Sequence, residues 1–274
     1  HTIPPEEGLE YLSRDISLWC IAAGWAQWER FFVAWAERHG FTFDFAASAD
    51  LETVPGLLDP YGLYVSVGHD EYWSAPMRDA VEGFVARGGN AAFFSGNTAF
   101  WQIRFEDGAT AQVSYKLSPE KDPLFGTADE RHVATMWSDP LAQRPENQMT
   151  GVSFTRGGYA HLPNAPGNGG YTVWRPDHWL FAGSGLGYGD VLGADPVVVG
   201  YECDGCALAL RDGLPVPTGE DGTAPDFTVL ASAAAHLWAT DERPDALPPD
   251  TGELNWIAAR LGGGDTPDAR RRFA

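Results

Sequence analysis

Residues 62–96 read "GLYVSVGHDEYWSAPMRDAVEGFVARGGNAAFFSG", and the fold reading turns on them. Two apolar runs, 63–67 and 91–94, bracket a segment of helical periodicity. Ser74 is placed to cap that helix and Pro76 suits its first turn. Met77, Ala80, Val81, Phe84 and Val85 share one helical face before Gly88 and Gly89 end it. An apolar strand that does not alternate is one covered on both faces. Strand, helix, strand in this order predicts parallel pairing with a right-handed crossover.

Working outward, Trp25, Trp28, Phe32 and Trp35 recur at helical spacing before Gly40, and "FTFDFAAS" at 41–48 alternates like a strand. Beyond about residue 105 the texture shifts to Gly, Pro and Asn, with short β-like pieces such as "TGVSFTR" and "YTVW". The α/β pattern resumes in "PVVVGYE" and "FTVLAS", Asp250 with Glu253 resembles a capping pair for a last helix, and "GDTPDARRRFA" reads as a frayed end. The expectation is one α/β domain over 1–274, with residues 108–195 forming a loop-and-strand insertion over one end of a parallel sheet.

The 274 residues carry a formal charge of −20 and 44% hydrophobic content, with 11 Trp. Such a surface repels phosphate, which argues against nucleic acid and anionic membranes and favours neutral or cationic ligands. No apolar stretch approaches the roughly 18 residues needed to span a bilayer. "HTIPPEEGLE" lacks the basic and apolar parts of a signal peptide, so the expected location is cytoplasmic. Three cysteines cannot build a disulfide framework in a chain of this size. Cys203 and Cys206 form a C-x-x-C without the second pair that a zinc site needs. "GSGLGYGD" lacks the dinucleotide spacing, and Ser95 lacks the glycine two residues earlier that a nucleophile elbow requires.

Ligands of parallel sheets bind beyond the carboxyl ends of the strands. His69 to Tyr72, Asn97 with Thr98, and Glu202 with Asp204 all follow apolar runs, so three strands are expected to deliver polar residues to one rim. His69 reads as a base or metal ligand, or as a strand-end histidine bonded to a carbonyl. Asp70 and Glu71 read as ligands, or as acids favouring the positive end of the following helix. Tyr72 is a candidate metal phenolate, its plainer role being core packing. Glu130 and His132, two apart, would share one side of an extended strand as further metal ligands.

Residues 65–106, together with "TMWSDPLAQRPENQMTGVSF", "WLFAGSGLGYGDVLG", "VVVGYECDGCALALRDGLPVPTG" and "ELNWIAARLGGGDTPDARRR", resemble the C-terminal catalytic-type domain of the N,N-dimethylformamidase large-subunit family. That resemblance implies a flavodoxin-like, glutamine amidotransferase-like sheet. It also implies an amidohydrolase with a mononuclear iron held by two tyrosines and a glutamate. Tyr72 matches one tyrosine. The glutamate position falls at His132, with Glu130 nearby, and the second tyrosine position falls near Phe31 and Phe32. Two functions follow. The first is a metal-dependent hydrolase of a small amide-like substrate. In it Tyr72 with Glu130 or His132 holds iron, His69, Tyr72 and Glu71 do the chemistry, and Asn97, Trp101 and Asp70 bind substrate. The second is a non-catalytic binding or assembly module. A homo-oligomer or a partner subunit is expected with either.

Overall fold

In the computed structural model, residues 24–25, 28–116, 118–159, 169–195, 198–199, 202–236 and 271–273 are described. The predicted last helix after Asp250 and the third cysteine, Cys20, lie outside them. The stretch that opened the reading folds as strand β1 (Leu63–His69), strand β2 (Tyr72–Ser74), a helix (Ala75–Ala86) and strand β3 (Asn90–Gly96). In chain order the helices used below are α1 (Glu29–Arg38), α2 (Asp50–Thr53) and α3 (Ala75–Ala86). Ser74 caps α3: its Oγ accepts from the Met77 N–H at 3.3 Å and donates to Glu52 Oε2 at 2.5 Å. That second bond ties α2 to the start of α3.

Of the α3 face named from periodicity, Met77, Val81 and Phe84 are buried, Ala80 is half-buried and Val85 is exposed. Met77, Val81 and Phe84 join Leu51, Leu58, Trp73, Ala99 and Trp137 in one apolar cluster. Arg78 is fully buried in the same layer. Its guanidinium donates to Glu82 and to the carbonyls of Arg144 and Pro145, and stacks 4.5 Å from the Trp137 ring. A buried charge persists only with such partners.

β1 and β3 pair in parallel, from Leu63 opposite Asn90 to His69 opposite Gly96, as the crossover predicts. The expected flavodoxin-like parallel sheet does not follow. β2 pairs in parallel with β4 (Trp101–Glu106) in a separate small sheet, and β5 (Ala111–Val113) adds to it antiparallel. Every other pairing among the described residues is antiparallel. β6 (Ser153–Tyr159) pairs with β9 (Glu202–Gly205), and β7 (Tyr171–Val173) with β8 (Val191–Leu192). β10 (Leu208–Arg211) and β11 (Leu214–Pro217) form a hairpin. β12 (Ala231–Ser232) joins β7, and β13 (Ala234–His236) joins β6 and β14 (Arg271–Phe273).

The expectation failed for a physical reason. An apolar run specifies burial, not the direction of its neighbour. Segments 153–159 and 171–173 offer edges to the segments at 202–205 and 231–232, which pair with them antiparallel and not with β1 or β3. The end read as frayed contributes a strand. The strand expected at 41–48 is absent. Phe41, Phe43 and Phe45 alternate but find no ladder partner, and stay exposed. Their rings meet other aromatics instead: Phe43 against Phe45 at 5.3 Å and Phe41 against Trp35 at 5.9 Å.

Candidate functional site

The rim beyond β1 and β3 is where titratable groups gather. Gly68 adopts φ +89°, a left-handed turn that L side chains avoid, and a Cβ there would meet the Trp28 side chain. The turn presents His69, whose ring stacks on Trp28 with centroids 6.1 Å apart. His69 Nε2 lies 3.0 Å from Glu71 Oε2 and 4.0 Å from Glu202 Oε2. The Glu71 hydrogen bond raises the imidazole pKa above its ordinary value, and the Glu202 and Asp70 charges add to it while burial opposes. Glu71, itself buried, also accepts from Trp101 Nε1 at 2.6 Å. One carboxylate thus fixes both the imidazole and the indole.

Asp204 reaches the rim from β9. Its two oxygens accept the backbone N–H groups of Asn97 and Thr98, each at 2.9 Å. Burial pushes its carboxyl up to about 6, against the pull of those bonds. Gly96 sits so close to β9 that a Cβ would strike the Glu202 carbonyl. The three groups of residues assigned to one rim therefore do meet. Glu202 and Asp204, however, come from an antiparallel strand and not from a third parallel one.

Tyr72 is half-buried, and Lys116 Nζ donates to its hydroxyl at 2.5 Å. The same ammonium lies 4.8 Å from the Tyr72 ring centroid and 5.2 Å from that of Trp101. Among the described residues, seven non-glycine residues have positive φ, and Asn97, Ala99 and Lys116 are three of them. Such backbone costs free energy and persists where surrounding contacts enforce it. Asn97 is buried, and its side-chain oxygen has no hydrogen-bond partner among the described residues.

The other candidates have different surroundings. Asp70 accepts from Ser66 Oγ at 2.5 Å and Trp73 Nε1 at 2.9 Å, which ties the β1–β2 turn to the core. Glu130 and His132 do not lie on an extended strand. They form a single 3-10 turn, in which positions two apart diverge around the axis. Glu130 Oε1 accepts from the Gly126 N–H, and His132 Nε2 receives the Arg131 Nε–H. His132 lines a cleft of about 310 Å³ with Glu52, Ser74, Asp79, Gln102 and Arg104, and none of the rim residues lines it. Where the second tyrosine was expected, Phe31 is exposed on α1 and Phe32 packs against Phe94. Ferric iron needs anionic oxygens converging on one point. Here the phenol faces an ammonium, while Glu130 bonds the Gly126 N–H and His132 the Arg131 guanidinium. Among the described residues, no three His, Cys, Asp or Glu side chains converge as a metal-holding group. The donor set implied by the resemblance does not fit this arrangement.

Lys116 was missed in the sequence, although a signal existed. The chain has 16 arginines and only two lysines, 116 and 121. Lysine is a compact point charge where arginine is a planar fork, so a scarce lysine is chemically informative.

The site thus brings an imidazole between carboxylates next to a phenol–ammonium pair, groups whose chemistry can hold and move a proton. The chain belongs to the family described as N,N-dimethylformamidase beta subunit-like, C-terminal, which matches residues 11–256. It is 24% identical over 241 residues to the N,N-dimethylformamidase beta subunits of Paracoccus aminophilus and of an Alcaligenes species. Each match covers 78% of this chain and 27% of the relative, so the chain spans about a quarter of their length. Among the described residues, no helix is long and apolar enough to cross a membrane.

Proposed function

We propose that this chain carries a hydrolytic site for a small neutral amide, at which water is added across the C–N bond. The observation that carries this reading is His69, held 3.0 Å from Glu71 and 4.0 Å from Glu202 beside the Tyr72–Lys116 pair. The imidazole takes a proton from the attacking water and returns it to the leaving nitrogen. The water oxygen remains on the carbonyl carbon, giving a carboxylate and an amine. Glu71 is a positioning residue that holds the ring and stabilises the imidazolium formed midway. A raised pKa suits the second half of this cycle, in which His69 acts as an acid. The negative surface favours a neutral substrate and disfavours carboxylates and phosphates. No step here passes through a metal, because the candidate donors do not converge.

The test is release of ammonia or amine from a panel of formamide, N-methylformamide, N,N-dimethylformamide and acetamide. His69→Ala is expected to lose about a hundredfold or more in kcat while retaining its near-ultraviolet circular dichroism. Equal turnover by wild type and variant would reject the assignment. One observation favours a second reading, an assembly module: Trp35, Phe41, Phe45 and Phe94 are all large, apolar and exposed. The names of the relatives, each a beta subunit, are in keeping with a partner subunit for such a face. A chain with no turnover that forms a stoichiometric complex blocked by Phe45→Glu would support that module instead.

A further inference from the structure

We infer that Asp204 is a positioning residue for His69: its ionised carboxylate holds the 97–99 turn, and through that turn the His69–Glu71 pair, so that protonating it slackens the site. The hold is read from the fold itself, while its effect on turnover rests on the proposed amide-hydrolysing reading.

The turn does not hold itself. Asn97 and Ala99 stand at φ +55° and +52°, backbone that persists where contacts enforce it. An asparagine in a turn commonly bonds its own backbone through its side chain. The Asn97 side-chain oxygen has no partner among the described residues. What enforces the turn is Asp204, which accepts the Asn97 and Thr98 N–H groups at 2.9 Å each and a further bond from the Thr98 side chain. Among the described residues no Lys or Arg bonds this carboxylate, so the turn is what answers its charge.

From the turn the hold passes to the imidazole by a continuous set of hydrogen bonds. The Ala99 N–H donates to the Asp70 carbonyl and the Trp101 N–H to the Glu71 carbonyl, both at 2.8 Å. The Trp101 indole donates to the Glu71 carboxylate, which in turn lies 3.0 Å from His69 Nε2. Gly96, next to the turn, is the residue opposite His69 in the β1–β3 ladder.

Ionisation and hold are linked. The N–H bonds favour the charged carboxyl, and by reciprocity the charged carboxyl grips the N–H groups harder. Bonds to a charged acceptor are roughly twice as strong as neutral ones. A protonated carboxyl also spends one oxygen on its own proton, leaving poorer acceptors for two N–H groups. The titratable groups that feel this charge are Glu71 after β1, Glu146 ahead of β6, Tyr171 on β7 and Cys203 beside it. Burial keeps the phenol and the thiol neutral, so the two glutamates are the charges that oppose ionisation of Asp204.

The experiment has two arms. In the first, NMR follows the Asp204 carboxyl carbon and the Asn97 and Thr98 amide protons from pH 8 down to about 4.5. The three signals are expected to share one midpoint, at about 6. The amide titration should vanish in Asp204→Asn and survive in Glu146→Gln. Amide protons that do not follow the carboxyl carbon, that titrate equally in Asp204→Asn, or that stop titrating in Glu146→Gln would overturn the inference. If Asp204→Asn does not fold, the wild-type signals decide it. In the second arm, turnover of the best amide of the panel is measured on chelator-stripped protein over the same range. Folded Asp204→Asn is expected to lose about tenfold or more in kcat at pH 8, with KM within about threefold. Its acid limb should be shallower than that of wild type, because of the two ionisations, Asp204 and His69, one is gone. An unchanged kcat or an unchanged acid limb in the folded variant would overturn the inference. Absence of turnover in wild type rejects the proposed function itself, and the NMR arm then decides the inference alone.

Discussion

Glu146 is fully buried and accepts hydrogen bonds from the hydroxyls of Ser138, at 2.6 Å, and Ser153. Among the described residues no cation bonds it directly, and burial pushes its carboxyl up to about 7 from the ordinary value of 4.5. A carboxyl whose pKa is higher folded than unfolded favours the native state while protonated. Its contribution is therefore full below about 4.5 and is lost as pH rises to about 7. At 1.36 kcal/mol per unit the span is about 3 kcal/mol. Urea titrations between pH 5 and 8 should show that fall in wild type and a flatter profile in Glu146→Gln, and parallel profiles would contradict it. His69 follows the same sign. Its stabilisation is complete below the ordinary value of 6.5 and fades as pH climbs through the raised one. Glu71→Gln should bring the imidazole pKa back down, read from its ring proton shifts by NMR; an unmoved titration would contradict the pairing. At this scale the sequence was partly legible. His69, Glu71 and Tyr72 stand side by side in the chain and announce themselves, whereas Lys116 comes from 44 residues away with no local pattern around it.

Helix α3 shows what local sequence determines. Its cap, its stop and the buried Met77, Val81 and Phe84 were readable, because capping, period and glycine act within a few residues, whereas Val85 proved exposed and Arg78 buried. Ser74→Ala should cost about 1 kcal/mol by equilibrium unfolding, since it leaves the Met77 N–H without its cap and Glu52 without a donor. The sheets were not readable in the same way. Whether β9 takes β6 or a parallel neighbour depends on an edge supplied about 50 residues earlier, which the four residues of β9 itself do not announce. Gly96 records the outcome: β9 crosses so near that no side chain fits. Gly96→Ala should destabilise by about 1–3 kcal/mol through overpacking. It should also weaken the coupling of His69 to Glu202 by pushing the two strands apart. A variant with wild-type stability would show that the close approach is not maintained in solution.

Taken whole, the molecule carries −20 and relies on a few cations placed where they count. Arg78 and Arg144 stack on Trp137 and bind Glu82, Arg104 binds Asp122 at 2.6 Å, and Lys116 serves the rim. The remaining acids repel one another. Raising salt from low ionic strength to about 0.5 M should therefore raise the melting temperature by screening, and a fall in it would indicate that paired charges dominate instead. Family membership was legible at this scale because long ordered blocks of sequence carried it. The arrangement of the strands, which depends on distant partners, was not. The most direct measurement of the central claim is kcat for small-amide hydrolysis by the stripped wild-type chain beside folded His69→Ala. The account predicts measurable product from wild type and a loss of about a hundredfold or more in the variant. Product formed equally by both, or by neither, contradicts it.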